Sequence, residues 1–235
     1  MEEAMKYNPR LEQQIKVTVD AVVFGYDPEP KISVLLIKRK YPPFEGCWAI
    51  PGGFVLNHES LEEAVERELK EETGVFINYL EQLYSYGDCD RDPRERVISV
   101  AYFGLIRPDG LQLKADTDAA EARWFDINKL PELAFDHSKI LRMAIQRFRA
   151  KITYEPVGFE LLDRKFPFSD LEKLYTTLLG REIDRRNFRK KIMSFGILDE
   201  LDEKRSIGAG RPASLFQFNK ERYFKLKEEG IVFEV

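Results

Sequence analysis

Alternating and continuous apolar runs predict β-strands in the first half of the chain. Residues 15–24 (IKVTVDAVVF) alternate and then become continuously apolar, and residues 32–39 (ISVLLIKR) do the same after a turn that contains proline and glycine. These two runs predict a β-hairpin. Residues 79–86, 96–105 and 119–125 have similar patterns and predict further short strands.

One amphipathic helix is predicted between these strands. The sequence SLEE at residues 60–63 has the Ser-x-x-Glu form of a capping box, and Gly74 is typical of a helix end, so the helix should cover residues 60–73. At about 100° per residue, its apolar side chains share one face. That face consists of Leu61, Ala64, Val65 and Leu69. Thr73 and most charged residues fall on the opposite arc, which we expect to be solvated.

Three glutamates of this helix depart from the amphipathic pattern. Glu68 and Glu72 fall within the apolar stripe, and Glu71 lies on its edge, so all three carboxylates are predicted to face the protein body. Carboxylates are rarely buried unless they are paired or bind a cation, and oxygen ligands at i and i+4 suit hard divalent ions. The alternative is an ordinary Glu-rich helix with solvated charges. The geometry favours a site for Mg²⁺ or Mn²⁺.

The order of residues from Gly53 to Val75 resembles the Nudix box of the Nudix hydrolase family at all nine constrained positions. These are Gly53, Glu59, Arg67, Glu68, Leu69, Glu71, Glu72, Gly74 and Val75. The resemblance implies a small α/β/α sandwich with a mixed sheet. It also implies hydrolysis of a nucleoside diphosphate that is linked to another group.

The same resemblance implies roles for individual residues. Glu68 and Glu72 are the implied metal ligands, Glu71 is a further ligand or supports one, and Arg67 orients the carboxylates. Paired glycines let the backbone approach a bound group closely. The Gly52 carbonyl is therefore the implied backbone ligand of the metal.

A charged loop between two predicted strands, residues 87–95, supplies candidate ligand contacts. Arg91, Arg94 and Arg96 flank a site that would hold a pyrophosphate, and guanidinium groups match phosphate oxygens. A loop this rich in charge can also be solvated surface. The sequence DRDPRER resembles the corresponding loop of ADP-ribose hydrolases, except that Glu95 stands where those proteins usually have glycine.

Two later segments add candidates through the same resemblance. Glu121 precedes an aromatic residue on a predicted strand and is a candidate base or further metal ligand; a solvated glutamate on an edge strand is the alternative. The sequence LAFDH at residues 133–137 precedes a helix predicted over residues 138–149, and a helix start suits an anion. Phe135 and His137 are candidate ligand contacts, although His137 could equally be a packing and capping residue.

The sequence YEPVG at residues 154–158 interrupts the helical pattern. We therefore predict two domains, residues 1–153 and residues 154–235. In the second domain, SDLE at residues 169–172 has the form of a capping box, and a helix follows until Gly180. Its apolar stripe consists of Leu171, Leu174, Tyr175 and Leu178.

A second helix is predicted over residues 185–195, with Asp184 as its N-cap. Residues 197–201 and 215–218 are strand-like on either side of a charged loop that contains glycine. This order of elements predicts a helix-turn-helix followed by a β-hairpin wing.

The predicted recognition helix is rich in basic residues, because five of the seven residues in RRNFRKK (185–191) are Arg or Lys. The candidate DNA contacts are Arg185, Arg186, Asn187, Arg189, Lys190 and, at the wing tip, Arg211. Asn187 is the expected base reader, and the arginines and Lys190 are expected to face outward. A solvated basic face is the alternative, since the net charge of the second domain is only +1.

A Nudix domain followed by a winged helix resembles the Nudix-related transcriptional regulators, the NrtR family. This resemblance implies a homodimer that binds palindromic operator DNA and senses ADP-ribose or a related metabolite. Because residues 152–158 contain Pro156 and Gly158, we expect this junction to be the part that moves. Many family members have a degraded box, whereas the box is intact here. The competing hypothesis is a Mg²⁺-dependent pyrophosphohydrolase whose second domain serves dimerisation or protein contact.

The overall composition agrees with either hypothesis. With 43% hydrophobic residues, the 235-residue chain can build extensive cores. No apolar run approaches the roughly 18 residues of a membrane span, and the N-terminal MEEAMKYNPR lacks the apolar region of a signal peptide. We therefore expect a cytoplasmic protein without a membrane partner.

Overall fold

The structure is a computed structural model of the chain. The residues that it describes are 14–27, 31–77, 79–107, 113, 119–206, 212–230 and 233–234. A seven-stranded sheet with helices is followed by a three-stranded sheet with helices, which confirms the predicted α/β fold with a C-terminal winged helix-turn-helix domain.

The first sheet consists of β1 (Lys16–Asp27), β2 (Lys31–Arg39), β3 (Trp48–Ala49), β4 (Gly52–Phe54), β5 (Tyr79–Tyr86), β6 (Val97–Ile106) and β7 (Ala119–Asp126). The strand order is β3-β2-β1-β6-β5, with β4 paired to β1 and β7 paired to β2. β1 and β2 form the predicted antiparallel hairpin, whereas β1 and β6 are parallel. The sheet is therefore mixed, as expected.

Two helices, α1 (Leu61–Thr73) and α2 (His137–Tyr154), pack on this sheet. Successive side chains of β1 point to opposite faces of the sheet. Val23 belongs to the same core as Leu69 of α1, whereas Phe24 stacks on Phe148 of α2 with ring centroids 5.2 Å apart. The alternation in β1 thus builds the two cores of the sandwich.

The helix α2 is longer than the predicted range of residues 138–149. Phe148 and Ile152 continue its inner face to Tyr154. Lys151 interrupts that stripe in the sequence, but its buried ammonium group lies 2.9 Å from Glu81 Oε2 and 3.1 Å from a Glu155 oxygen. Pairing with two carboxylates allows this lysine to be buried, so the helix continues beyond the end that the sequence predicts.

The second domain contains β8 (Phe166–Pro167), α3 (Phe168–Leu179), α4 (Arg185–Ser194), β9 (Leu198–Arg205), β10 (Ala213–Phe218) and α5 (Lys220–Glu228). Its sheet has the order β8-β10-β9, and β9 with β10 forms the predicted wing. The apolar stripe of α3 is buried as predicted. None of the helices in the described part of the chain has the length and hydropathy that a bilayer crossing requires.

One expectation for this domain was wrong, and one helix was missed. The helix α3 begins at Phe168 with Pro167 as N-cap and without a side-chain cap, so Ser169 lies inside the helix and no capping box forms there. The helix α5 was not predicted, because most of its residues are charged. It contacts the core through Tyr223 and Leu226.

The junction between the two predicted domains is packed rather than open. After α2 ends at Tyr154, the residues Val157–Leu161 form a 3-10 helix. Val157, Gly158 and Phe159 are buried, and Ile152 and Val157 belong to the same hydrophobic cluster as Leu174 of α3. The boundary at residues 153 and 154 stays a prediction, and any movement here must disturb buried contacts.

Candidate active site and DNA-binding helix

The helix that carries the box begins and ends as its sequence predicts. Ser60 Oγ accepts a hydrogen bond from the Glu63 amide over 3.2 Å, and a Glu63 carboxylate oxygen accepts one from the Ser60 amide over 2.8 Å. These reciprocal bonds form the capping box. At the other end, Gly74 adopts a left-handed conformation with φ of 71°.

Two of the three predicted inward carboxylates face the protein body. Glu72 is buried and Glu68 is largely buried, but the Glu71 side chain is 43% exposed. Thr73, which was expected on the solvated face, is fully buried. Glu71 lies on the edge of the apolar stripe, where its side chain can turn outward. Thr73 is at the C-terminal end of the helix, where its hydroxyl donates to the Leu69 carbonyl and accepts from the Val75 amide.

The paired glycines let the loop before α1 approach these carboxylates. The Gly52 amide donates a 2.8 Å hydrogen bond to Glu72 Oε2. A Cβ atom on Gly52 would lie 2.1 Å from the Val19 carbonyl oxygen, and one on Gly53 would lie 2.3 Å from Glu68 Oε1. Side chains at either position would collide with these groups, so the close approach requires glycine.

Arg67 ties the box together. Its Nε and Nη2 atoms donate to the two Glu59 carboxylate oxygens over 2.9 and 2.7 Å, and its Nη1 donates to Glu68 Oε1 over 2.7 Å. A longer bond of 3.3 Å reaches Glu71 Oε2. The hydrogen bond from Arg67 lowers the pKa of Glu59 to about 2. This geometry agrees with the orienting role that the resemblance implies.

One cleft collects most of the remaining candidates. Its lining includes Gly52, Glu72, Arg91, Arg94, Phe135 and His137. Among the described residues, Arg96 and Glu121 do not line this cleft. Arg96 Nη1 donates to the carbonyl oxygens of Gly87 and Asp88, which holds the base of the loop, and Glu121 pairs with Arg123 on the surface.

Within the cleft, Arg91 is buried against acidic groups. Its Nε and Nη2 atoms donate to the two Asp136 oxygens over 3.2 and 2.9 Å, and Nη2 also lies 3.5 Å from Asp20 Oδ2. Ser99 Oγ donates a short hydrogen bond to the same oxygen of Asp20. The arginine that was expected to meet phosphate is therefore already held by protein carboxylates.

His137 lies in the cleft wall, where its ring is buried. Its Nδ1 accepts a 2.9 Å hydrogen bond from the Ile50 amide, which places the proton of the neutral ring on Nε2. Burial lowers the pKa of His137 and keeps the ring neutral. With Nδ1 occupied and Nε2 protonated, the ring has no nitrogen available as a general base.

The outer part of the cleft combines guanidinium and aromatic groups. The Arg94 guanidinium pairs with Asp92 and lies 5.6 Å from the Phe54 ring centroid and 6.0 Å from that of Phe135. The Arg39 guanidinium lies 4.9 Å from the Phe135 ring. Phe135 itself has a positive φ of 51°, which is uncommon for a bulky residue. The flat faces of guanidinium groups and aromatic rings can both stack on a nucleobase.

Sequence reasoning missed several residues of the cleft, among them three polar residues of β1 and β2. Asp20 and Arg39 line it, and so does Thr18, whose buried Oγ1 has no hydrogen-bond partner among the described residues. Asp20 carried a usable signal, since it is the one carboxylate in the apolar run of residues 17–24. Thr18 and Arg39 continue ordinary strand patterns and carried none.

The donors around Gly52 fit a small divalent cation. Among the described residues, no three His, Cys, Asp or Glu side chains form a metal-type cluster. Mg²⁺, however, commonly binds through one or two carboxylates and keeps several waters or substrate phosphates. Glu68 and Glu72 with the Gly52 carbonyl supply such a set of hard oxygen donors, and Gly53 leaves room for the Glu68 carboxylate.

The helix α4 presents most of the predicted DNA contacts. The Asp184 side chain caps it by accepting from the Asn187 amide over 3.0 Å, and also accepts from Asn187 Nδ2 over 2.8 Å. Phe188 and Ile192 are buried as predicted. The predicted contacts on this helix are exposed, namely Arg185, Arg186, Asn187, Arg189 and Lys190.

One of these exposed residues is not free to point straight outward. The Arg189 guanidinium lies 4.4 Å from the ring centroid of Phe168 and 5.5 Å from that of Phe216. It therefore lies along the flank of α4, against the domain core. Arg211, the predicted contact at the wing tip, lies outside the described residues.

Comparison with known proteins covers both halves of the chain. The NUDIX domain family matches residues 15–144, and the NrtR DNA-binding winged helix domain matches residues 158–218. The chain is 32% identical to the ADPR responsive transcriptional repressor NtrR of Acinetobacter baylyi, over 88% of this chain and 83% of that protein. It is also 49% identical to an ADP-ribose pyrophosphatase of Methanocaldococcus jannaschii, over 54% of this chain and 70% of that protein.

Solved structures give the same result. Shewanella oneidensis NrtR complexed with a 27mer DNA matches with a TM-score of 0.77 and 33% identity, over 88% of this chain and 94% of that chain. The NUDIX domain of the same protein complexed with ADP ribose matches with a TM-score of 0.55 and 35% identity, over 63% and 99%. The chain belongs to the Nudix family and, within it, to the NrtR proteins, which join a Nudix domain to a DNA-binding winged helix domain.

Proposed function

We propose that this chain is a DNA-binding regulator whose Nudix domain binds ADP-ribose or a related nucleoside diphosphate sugar. One observation carries the proposal: Glu72 of the box and the preceding Gly52 share a cleft with Arg91, Arg94 and Phe135. Hard oxygen donors thus lie beside guanidinium and aromatic groups, which is the combination that a pyrophosphate joined to a nucleoside requires. The A. baylyi relative, named as ADPR responsive, supports this ligand class.

A bound Mg²⁺ or Mn²⁺ belongs to the proposal. The Gly52 carbonyl, Glu68 and Glu72 would hold it, with Arg67 orienting Glu68. When bound, such an ion neutralises pyrophosphate charge and lowers the pKa of a water ligand. Of the candidate catalytic residues, Arg67 is the best supported, because it donates hydrogen bonds to Glu59 and Glu68, whereas Glu71 is exposed and Glu121 pairs with Arg123 on the surface.

Hydrolysis is a second activity of the same cleft in this proposal. The box is intact, and the M. jannaschii relative that is 49% identical is named an ADP-ribose pyrophosphatase. Water would hydrolyse the P–O–P bond of ADP-ribose to give AMP and a sugar phosphate. If DNA binding is absent, this activity alone is the function, and the C-terminal domain serves dimerisation or protein contact.

DNA binding is assigned to α4 in a two-fold dimer, acting in the cytoplasm as a bacterial repressor does. The second domain has a net charge of only +1, so one module would bind DNA weakly. Two modules on a palindromic operator raise the affinity through effective concentration. Sedimentation should show a dimer at micromolar concentration, and a monomer both free and on DNA would contradict this part.

Two assays test the proposed function. Purified protein is incubated with ADP-ribose and Mg²⁺ while AMP release is followed, and DNA selected by the protein from a random pool is used in retardation with and without ADP-ribose. We expect a selected palindrome whose retardation changes with ADP-ribose. Hydrolysis without any selected DNA would leave the hydrolase alternative, and failure of both DNA selection and ADP-ribose binding would reject the proposal.

A further inference from the structure

The cleft holds one more buried carboxylate than its arginine needs. Arg91 is 8% exposed, and Asp136 alone pairs with it through two hydrogen bonds. Asp20 Oδ2 nevertheless lies 3.5 Å from Arg91 Nη2, and Asp20 is itself only 6% exposed. Burying a second carboxylate beside a site for an anion is unfavourable, so its presence requires a physical reason.

Asp20 touches groups from three separate elements. On β6, Ser99 donates its hydroxyl to Asp20 Oδ2; at the start of α2, His137 Nε2 lies 3.6 Å from Asp20 Oδ1. The third group is the Arg91 guanidinium from the loop between β5 and β6. Because Ile50 occupies Nδ1 of His137, the N–H of that ring is on the nitrogen that faces Asp20. Asp20 is thus surrounded by potential donors.

The two aspartates leave one end of the Arg91 guanidinium available. Asp136 engages Nε and Nη2, and Asp20 lies against Nη2, whereas Nη1 has no hydrogen-bond partner among the described residues. A guanidinium fixed along one edge can present the remaining nitrogen in only one direction. Arg91 lines this cleft and also a second cavity beside Asp136 and Lys139, and Nη1 is the guanidinium nitrogen that a ligand in the cleft can use as a donor.

We propose that Asp20 is a positioning residue, which together with Asp136 fixes the Arg91 guanidinium so that Nη1 donates end-on to a phosphate oxygen in the cleft. This inference rests on the proposed function for its ligand. This end-on contact replaces the bidentate phosphate contact that an arginine in this loop would otherwise make.

The sign of one substitution separates positioning from simple electrostatics. Asp20→Asn removes a negative charge from the cleft, which by itself should tighten the binding of an anion. If Asp20 positions Arg91, binding should instead weaken, by about tenfold for a loss of one charge-assisted hydrogen bond. In the Arg91→Ala variant there is no guanidinium to position, so Asp20→Asn should no longer weaken binding.

The test is calorimetric titration, with Mg²⁺, of a methylene-bridged ADP-ribose analogue that resists hydrolysis and of inorganic pyrophosphate into the full chain and its variants. Asp90→Asn is the matched control, because it removes an equal charge from an exposed position on the loop that carries Arg91. We expect Asp20→Asn to weaken binding only when Arg91 is present. Tighter binding by Asp20→Asn, or equal weakening in both backgrounds, would overturn the proposal.

A second measurement works without any ligand. Denaturant unfolding of the wild type, both single variants and the double variant gives the coupling between Asp20 and Arg91 in the free protein. We expect the two losses to be clearly non-additive, since the groups are in contact. Additive losses of stability would overturn the proposal that Asp20 holds Arg91. If neither ligand binds the wild type, the proposed function fails, while this cycle still decides whether Asp20 holds Arg91.

Discussion

Gly53 and Glu68 lie so close together that a Cβ atom on the glycine would stand 2.3 Å from Glu68 Oε1. The two residues are fixed from opposite directions, Gly53 by pairing of β4 with β1 and Glu68 by its place on α1. The box glycine therefore has a physical explanation: it creates the space in which a candidate metal ligand lies.

Substitution of this glycine should displace the carboxylate. In Gly53→Ala, three atoms of the Glu68 carboxyl group would lie within 2.6 Å of the new methyl group, so the Glu68 side chain must move. We expect Mn²⁺ affinity, measured by electron paramagnetic resonance, to fall by about tenfold or more. Gly87→Ala is the control, because its nearest contacts are 3.8 and 3.9 Å. Unchanged Mn²⁺ affinity in Gly53→Ala would remove Glu68 from the metal site.

The two neighbouring glutamates at the end of α1 should behave differently. Glu72 is buried against the Gly52 amide, whereas Glu71 is exposed. Glu72→Gln keeps an oxygen for that amide but loses the charge, so hydrolysis of ADP-ribose should fall by about a hundredfold while the fold remains. Glu71→Gln should have a much smaller effect. Equal losses in AMP release would show that exposure does not separate their roles.

The Glu59–Arg67 pair should make stability sensitive to acid. The folded pKa of Glu59, about 2, is below its ordinary value of 4.5, so its contribution to stability is present above pH 4.5 and is lost as the pH falls towards 2. Unfolding midpoints measured across that window should depend less on pH in Glu59→Gln than in the wild type. Glu66→Gln, at an exposed position of the helix that carries Arg67, should retain the wild-type dependence.

Local periodicity explains which parts of the fold could be predicted. The hairpin, α1, α4 and the wing follow from alternation, caps and glycine stops, all of which act over a few residues. The extension of α2 could not be predicted, because burial of Lys151 depends on Glu81 in a distant strand. The helix α5 was missed because only Tyr223 and Leu226 mark its packed side.

The candidate site also has one part that could be predicted from the sequence and one part that could not. Glu68 and Glu72 could be found because helical spacing places them in an apolar stripe. The environment of Asp20 could not, since Ser99, Arg91 and His137 come from separate parts of the chain and meet only through the sheet. The exposure of Glu71 could not be predicted, because this residue lies on the edge of the apolar stripe, where helical periodicity alone does not decide burial.

The outward-facing cations of α4 should affect DNA binding, whereas Arg189, which lies along the flank of the helix, should chiefly affect stability. Arg186→Gln and Lys190→Gln should each reduce the dependence of log K on log salt by about 0.9 if each cation contacts one phosphate. Arg189→Gln should chiefly destabilise the domain, by about 0.5–1 kcal/mol, since its guanidinium lies over Phe168 and Phe216. Salt titrations on the selected DNA and thermal unfolding measure the two effects. A salt slope lowered equally by Arg189→Gln would place that residue on phosphate.

Coupling between the two sites must act through a packed junction. We expected residues 152–158 to be the moving part, but Ile152 is fully buried, and a Cβ atom on Gly158 would stand 3.3 Å from Leu174 Cδ2. A ligand can shift the arrangement of the DNA-binding domains only through different affinities for two states. Any second state must therefore move α2 and α3 together or break these buried contacts.

Reciprocity gives the final prediction. If ADP-ribose changes the affinity for the selected DNA by some factor, that DNA must change the affinity for ADP-ribose by the same factor. Calorimetric titration of ADP-ribose into free protein and into the protein–DNA complex should thus give different dissociation constants. Gly158→Ala crowds Leu174 without touching either site, so we expect it to change this factor while binding at each site is retained. Equal constants in the wild type would leave two unlinked functions on one chain.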